Sequence, residues 1–143
     1  MTVDEKINKI FMGNYKAHYM LKKILSDKTL FIKNKQIKDL IFIRRESLDE
    51  HGLKSHAKLI IATEDEILIM KEGFNEIDKE ALGYKMLKIY YDKITGIEFD
   101  ICLLKGEFKI ITNGNKDISV EFNSSKYYKE FEKFIECIHE YLI

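Results

Sequence analysis

Residues 57–71 read AKLIIATEDEILIMK. The two apolar runs within this stretch, residues 57–63 and 67–71, are rich in β-branched side chains and are typical of strands. The acidic pair Glu64-Asp65 lies between the two runs. A connection this short cannot be a parallel crossover, which takes about a dozen residues or more. The stretch therefore predicts an antiparallel β-hairpin near the middle of the chain.

Five further runs of the same kind flank this hairpin. Lys105-Gly106 and Asn113-Gly114-Asn115 separate three of them, and such residues favour tight turns between antiparallel strands. The later runs alternate apolar and polar residues, so one face of the sheet is expected to be buried and the other solvated. The five runs are residues 37–45, 85–91, 95–103, 107–112 and 118–122.

Helical periodicity marks both ends of the chain. Thr2-Val3-Asp4-Glu5 has the spacing of a capping box, and apolar residues recur at helical spacing as far as Leu25, with a weak point at Gly13-Asn14. We therefore predict one kinked helix or two short ones in residues 1–27. Asn123-Ser124-Ser125 can cap a C-terminal helix whose apolar stripe packs on the sheet. The stripe is Tyr127, Phe131, Phe134, Ile135, Ile138, Tyr141 and Leu142, and Lys126, Lys129, Glu132, Lys133 and Glu136 occupy the other side.

Seven strands followed by one helix is the order of elements in the PH-like fold. Residues 59–69 resemble the strand, Thr-led turn and strand of the small bacterial PH-like domains of the YokE and GRAM type, and residues 91–98 resemble their entry to the fifth strand. Glu66 stands where such domains commonly carry a basic residue. The resemblance implies an α+β fold, a PH-like seven-stranded antiparallel roll or barrel capped by the C-terminal helix. This domain would comprise residues 36–143, with residues 1–27 as an additional N-terminal helical segment.

The resemblance also implies a binding or assembly module rather than an enzyme. We expect a non-enzymatic interaction module that binds a protein partner or self-associates. The N-terminal helix is the expected contact element, because its apolar stripe needs a surface to pack on. The alternative is a membrane-surface module that recognises lipid headgroups. A small-molecule enzyme ranks last, because no catalytic constellation is recognisable in the sequence.

The balance of charge limits the expected partners. Basic and acidic residues number 24 each, so no overall field attracts nucleic acid or an anionic membrane, and no nucleic-acid partner is expected. The candidate ligands for an anionic group are Arg44, Arg45, Lys58 and Lys71, at predicted strand ends. The adjacent loops, residues 46–56 and 72–84, carry seven acidic residues against two lysines. We therefore expect weak binding or none to polyanionic headgroups.

Few other residues suggest a catalytic or metal-binding role. Cys102 and Cys137 lie among apolar residues without Cys-x-x-Cys spacing, so both are expected to be small core residues. His51 and His56 lack the spacing and the third ligand of a zinc site, and no metal or other cofactor is expected.

The first residues lack the basic start and apolar run of a secretory signal, and apolar runs elsewhere fall far short of the ~20 residues that span a bilayer. The cytoplasm is the expected location.

Overall fold

A computed structural model describes residues 1–13, 18–26, 32, 35–46, 55–73, 83–114 and 117–142. They form two antiparallel sheets with helices at both ends of the chain, so the expected α+β class is confirmed. The described residues of the N-terminal segment form two short helices. The helices are α1 (Val3–Met12), α2 (Tyr19–Ser26) and α3 (Ser124–His139), and the strands are β1 (Asp39–Ile43), β2 (Lys58–Ala62), β3 (Glu66–Glu72), β4 (Tyr84–Tyr90), β5 (Ile94–Ile101), β6 (Lys105–Thr112) and β7 (Ile118–Asn123).

All seven predicted strands are present. The first sheet has the order β1-β2-β3-β4 and the second the order β5-β6-β7, with every neighbouring pair antiparallel. The hairpin predicted from residues 57–71 joins β2 to β3, with Leu59 opposite Met70. The hydroxyl of Thr63 accepts a hydrogen bond from the backbone N–H of Glu66 (3.2 Å), which stabilises the turn. A single turn of 3-10 helix, Tyr91–Lys93, connects the two sheets.

The main core lies between the two sheets and α3. Phe131 is fully buried there, and its ring stacks on that of Phe122 with centroids 4.2 Å apart. The predicted apolar stripe of α3 is confirmed, because Tyr127, Phe131, Phe134 and Ile138 are buried while Lys126, Lys129 and Lys133 are exposed. Strand residues from both sheets complete this core, among them Ile41, Ile60, Ile67, Ile69, Phe108, Ile110 and Val120.

A second core covers the opposite face of the first sheet. Met20, Leu21 and Ile24 of α2 are fully buried there, and α1 contributes partly buried apolar side chains. Alternate residues of the strands form the sheet side of this core: Leu40, Phe42, Leu59, Ile61, Leu68 and Met70. Strands β1 to β3 are therefore buried on both faces. The apolar side of the N-terminal helices is occupied by the chain's own sheet.

The β5–β6 connection differs from the sequence-based expectation. Strand β5 ends at Ile101 and β6 begins at Lys105, so residues 102–104 form the turn, not Lys105-Gly106. Gly106 lies within β6 opposite Phe122, and an added Cβ would come within 2.5 Å of that ring. Cys102 is exposed in the turn, so its assignment to the core was wrong. None of the helices in the described part of the chain is long and apolar enough to cross a membrane.

Candidate functional site

A groove of about 610 Å³ runs along β1 between α1 and α3. We call it the basic groove, because seven cationic side chains line it against two acidic ones among the described residues. Its apolar lining comes from both helices and from β1. The lining residues are Met1, Lys6, Lys9, Ile10, Leu40, Phe42, Arg44, Arg45, Glu46, Lys126, Tyr127, Lys129, Glu130 and Lys133.

An ion pair between α1 and β1 forms one wall of the basic groove. The side-chain hydroxyl of Thr2 accepts a hydrogen bond from the backbone N–H of Glu5, as the capping pattern predicts, and this starts α1 beside β1. The Nζ atom of Lys6 then lies 2.5 Å from Oδ1 of Asp39, and both side chains are only 10% exposed. Lys6 and Lys9 share a helix face because they are three positions apart. The ion pair thus fixes the face of α1 that carries Lys9.

The opposite wall is the flank of α3. Lys126, Lys129 and Lys133 are three and four residues apart, so they form one row beside the buried stripe of the helix. Tyr127, on the stripe, fixes the start of α3 against β1, because its hydroxyl accepts a hydrogen bond from the backbone N–H of Arg44 (3.1 Å). Burial raises the pKa of the Tyr127 phenol, whereas the hydrogen bond from the Arg44 backbone acts in the opposite direction.

Carboxylates compensate part of the positive charge in the basic groove. Lys6 pairs with Asp39 and Arg45 with Glu72, whereas the exposed ammonium group of Lys126 contacts the partly buried carboxylate of Glu46 at 3.5 Å. No carboxylate of the described residues forms an ion pair with Lys129 or Lys133. The basic groove therefore retains a positive excess, to which Lys129 and Lys133 contribute.

Glu130 lies in the basic groove on the inner side of the lysine row. Burial raises the pKa of its carboxyl group, while the nearby ammonium groups of Lys6 and Lys9 act in the opposite direction and Asp39 adds to the rise. Desolvation therefore outweighs the attraction of the two lysines. This carboxylate reduces the positive potential in the groove and is itself poorly solvated.

The four candidate anion ligands from the sequence lie in two separate places. Arg44 and Arg45 both line the basic groove. Arg45 is held by Glu72, since its Nε atom lies 2.9 Å from both carboxylate oxygens. Glu72 also accepts a hydrogen bond from the backbone N–H of Ala57 (2.9 Å). This bidentate pair fixes the side chain of Arg45 at the end of the groove.

Lys58 and Lys71 lie outside the basic groove as cross-strand partners on β2 and β3. Their ammonium groups donate to backbone carbonyls of β7, at Glu121 (2.8 Å) and Ser119 (3.3 Å), and so connect the first sheet to the second. Burial lowers the pKa of both, and a neighbouring lysine lowers each further, Lys71 for Lys58 and Lys85 for Lys71. The structure therefore does not bring all four candidates into one site.

A second exposed surface lies at the tip of the β5–β6 hairpin. Leu103 and Leu104 are 89% and 80% exposed, and Ile101 is 43% exposed. Lys105 follows them and pairs with Glu121 at 3.1 Å in an exposed position. Adjacent large apolar side chains at a turn are uncommon, because turns normally carry polar residues.

Metal chemistry has little support in the described residues. No three His, Cys, Asp or Glu side chains among them cluster as metal ligands would. The Nδ1 atom of His56 lies 2.7 Å from the backbone carbonyl oxygen of Glu72, and His51 lies outside the described residues. Residues 47–54 and 74–82 also lie outside them, and they carry most of the acidic residues on which the expectation of weak headgroup binding rests.

Sequence reasoning missed five cations of the basic groove: Lys6, Lys9, Lys126, Lys129 and Lys133. The signal available was their helical spacing, which places each set on one helix face. That spacing is also typical of a solvated face. The convergence of α1 and α3 on β1 depends on tertiary packing, which helical spacing alone does not reveal.

Comparisons with protein-family models, with curated proteins and with solved structures return no match to this chain.

Proposed function

We propose that this chain is a non-enzymatic interaction module of PH-like architecture and that it binds a protein partner through the basic groove. The element order supports the architectural part of the proposal: a four-stranded antiparallel sheet, a three-stranded antiparallel sheet and a closing helix. The N-terminal helices remain part of the contact element. Their apolar side packs on the sheet, and the polar side of α1 forms a wall of the groove.

One observation carries the proposal: the basic groove is partly apolar, and its cationic side chains outnumber its acidic ones. Apolar surface supplies affinity when a partner covers it, and unbalanced charge selects partners of opposite sign and speeds their encounter. Met1 and Ile10, the apolar lining residues that keep exposed surface, provide the first property, and Lys129 and Lys133 provide the second. A protein surface that combines apolar and acidic side chains fits both.

The buried ionisable groups around the basic groove support a binding role rather than a catalytic one. Asp39 accepts hydrogen bonds from the Lys6 ammonium and from the backbone N–H of Leu40, and Glu72 binds Arg45 and the N–H of Ala57. Each of these carboxylates joins two structural elements. Their hydrogen bonds hold the walls of the groove in position.

Site-specific photo-crosslinking in the cells that make the protein tests the proposal. A photo-reactive residue at position 129 or 133 should form a covalent adduct with a protein, whereas the same residue at Lys93, an exposed lysine outside the groove, should not. Equal adducts from all three positions, or adducts with lipid alone from 129 and 133, would contradict the proposal.

A second candidate function is recognition of a membrane surface, and the exposed hairpin tip favours it. Leu103 and Leu104 could enter the interfacial region of a bilayer while Lys105, at the base of the tip, contacts anionic headgroups. Flotation with anionic vesicles at low salt tests this candidate, because low salt strengthens electrostatic binding. Co-flotation that is lost in the Leu103→Ser/Leu104→Ser variant would support it, and absence of co-flotation would exclude it.

A further inference from the structure

Strand β4 leaves one edge of the first sheet open. It is the last strand of that sheet, and none of the other described strands pairs with its outer side. Met86 and Leu87, in the middle of β4, lie on opposite faces of the sheet because successive side chains alternate. They are 36% and 39% exposed, so β4 is accessible from both faces. An edge in this state is a template for the addition of a strand.

The other sheet edges in the described part of the chain are protected. β1 is flanked by α1 and α3, and backbone carbonyls of β7 accept hydrogen bonds from Lys58 and Lys71. β5 contains a bulge between Ile94 and Gly96, and a bulge hinders the addition of a further strand. β4 is seven residues long and pairs with β3 in one continuous register, without proline or a bulge. This strand therefore lacks the features that protect the other edges.

Hydrogen bonds at the two ends of β4 show which of its backbone groups face the open edge. The N–H of Gly73 donates to the carbonyl of Gly83, and the N–H of Tyr91 donates to the carbonyl of Asp65, both at 3.2 Å. Hydrogen-bonded and non-hydrogen-bonded pairs alternate along an antiparallel ladder. The odd-numbered residues of β4 therefore bond to β3, and the even-numbered residues direct their N–H and C=O groups outward.

Met86 and Lys88 are the central residues of this outward set. Their backbone N–H and C=O groups have no hydrogen-bond partner among the described residues. Another β-strand satisfies such a row of donors and acceptors, because its own backbone groups repeat at the same spacing. The edge therefore specifies an extended segment as its occupant.

The sequence of β4 makes a second copy of the same strand the fitting occupant. In an antiparallel pair with a two-fold axis beside Leu87, Met86 lies opposite Lys88 of the second copy, and their outward groups bond in both directions. Leu87 lies opposite its own copy as a non-hydrogen-bonded pair, which agrees with its bonding to β3. Since Leu87 is the central residue of β4, this register overlaps the whole strand.

The side chains favour this register as well. Lys85 and Lys88 each lie opposite an apolar residue of the second copy, Ile89 and Met86, so their apolar stems cover apolar surface. Lys88 is also compensated by Glu66, whose carboxylate lies 3.6 Å from its ammonium group. An axis beside Lys88 would instead place two like charges directly opposite each other, which is destabilising.

We propose that the open edge of β4 binds β4 of a second copy of this chain. The two strands pair antiparallel about Leu87, and the first sheets of the two copies become one continuous sheet. No residue of β4 lines the basic groove, so this inference goes beyond the proposed function and does not depend on it.

Cysteine cross-linking tests the register on the full chain. A Cys102→Ser background removes the exposed thiol. In this background Leu87→Cys brings two thiols together at the axis, with Cα atoms about 4.5 Å apart, which is within the range of disulfides. We expect mild oxidation to convert most of this variant to a disulfide-linked dimer.

The matched control is Lys85→Cys in the same background. Position 85 is exposed on the same strand, but its two copies lie four residues apart along the paired strands, or about 13 Å, which a disulfide does not span. This variant should remain uncrosslinked, as should the background itself. Equal cross-linking at positions 85 and 87 would overturn the inference.

Sedimentation equilibrium tests the association without a cross-link. The runs extend to about 1 mM because a single pair of strands forms a small and therefore weak interface. We expect a reversible dimer for the parent chain. Leu87→Lys should weaken dimerisation at least about tenfold, because it places two lysines opposite each other at the axis. Leu103→Lys adds the same charge at the exposed hairpin tip and should weaken it by less than about twofold.

Thermal unfolding of both lysine variants checks that they fold like the parent chain. A parent chain that sediments as a monomer at every concentration would overturn the inference, as would a dimer that Leu87→Lys leaves intact. If Lys129→Glu/Lys133→Glu abolished the dimer and Leu87→Lys did not, self-association would belong to the basic groove. In that case the inference would fail, and the groove would remain a protein-binding surface.

Discussion

The ammonium nitrogen of Lys6 lies 2.5 Å from a carboxylate oxygen of Asp39, and this ion pair joins α1 to the edge of the first sheet. The two residues are 33 positions apart, and both side chains are nearly buried. The same carboxylate accepts a hydrogen bond from the backbone N–H of Leu40 (2.8 Å). The pair therefore holds one wall of the basic groove against β1.

Replacing one member of this pair should leave the other charged and poorly solvated. We expect Lys6→Met to lower the free energy of unfolding by about 3 to 5 kcal/mol, because the buried Asp39 carboxylate loses its compensating charge. The Lys6→Met/Asp39→Asn double variant should recover more than about 1 kcal/mol relative to additive behaviour. Urea denaturation of the four proteins of this cycle measures the coupling. Strictly additive losses would mean that the ion pair does not hold α1 in place.

Phe131 should be among the most destabilising positions to truncate. Its fully buried ring stacks on Phe122 and lies 5.5 Å from that of Phe108, centroid to centroid. We expect Phe131→Ala to lower the free energy of unfolding by about 3 to 5 kcal/mol. Lys129→Ala, on the exposed flank of the same helix, should change it by less than about 0.5 kcal/mol. Similar losses at both positions in chemical denaturation would contradict the orientation of α3.

The Glu66 carboxylate provides a test of charge compensation in the core. Its side chain is fully buried, and its oxygens lie 3.8 Å and 3.6 Å from the ammonium groups of Lys35 and Lys88. We expect Lys35→Met and Lys88→Met each to cost about 1 kcal/mol, because one lysine still compensates the carboxylate.

The double variant should cost more than the sum of the two single ones, by at least about 1 kcal/mol, because the buried carboxylate is then unpaired. Adding Glu66→Gln to the double variant should restore much of the loss. Chemical denaturation measures all five proteins. If the double loss equals the sum, solvent rather than the two lysines compensates Glu66.

The strands could be predicted because their signals are local. Residues 57–71 contain two β-branched runs and a turn too short for a crossover, and that hairpin is present in the structure. The β5–β6 turn was misplaced because Gly106 suggested a turn by residue type. Its small size is instead required by the ring of Phe122 on the neighbouring strand, a contact between residues 16 positions apart that no local pattern reveals.

The basic groove was predicted only in part. Arg44 and Arg45 were candidates because they lie at the end of a predicted strand, and they do line the groove. Lys58 and Lys71 also lie at predicted strand ends, but their ammonium groups contact the carbonyls of β7. Sequence cannot distinguish the two outcomes, because both depend on how the second sheet and the helices close over the first.

Glu130 should make stability depend on pH in an identifiable direction. Burial raises the pKa of its carboxyl group above the ordinary value of 4.5, so the folded chain binds this proton more tightly than the unfolded chain does. The ionised form therefore carries a cost that is absent below about pH 4.5 and grows as the pH rises through the raised pKa. Above that pKa the full cost remains.

Glu130→Gln removes this cost, so the variant should be more stable than the parent chain at pH 7. The difference should disappear as the pH falls below about 4.5, where the parent carboxyl is protonated in both states. Urea denaturation of both proteins across this range measures the difference, with Glu132→Gln, on the exposed side of α3, as the control. A Glu130→Gln variant less stable than the parent at pH 7 would mean that attraction to Lys6 and Lys9 outweighs burial. It would also mean that this carboxylate helps to hold the two walls of the basic groove together.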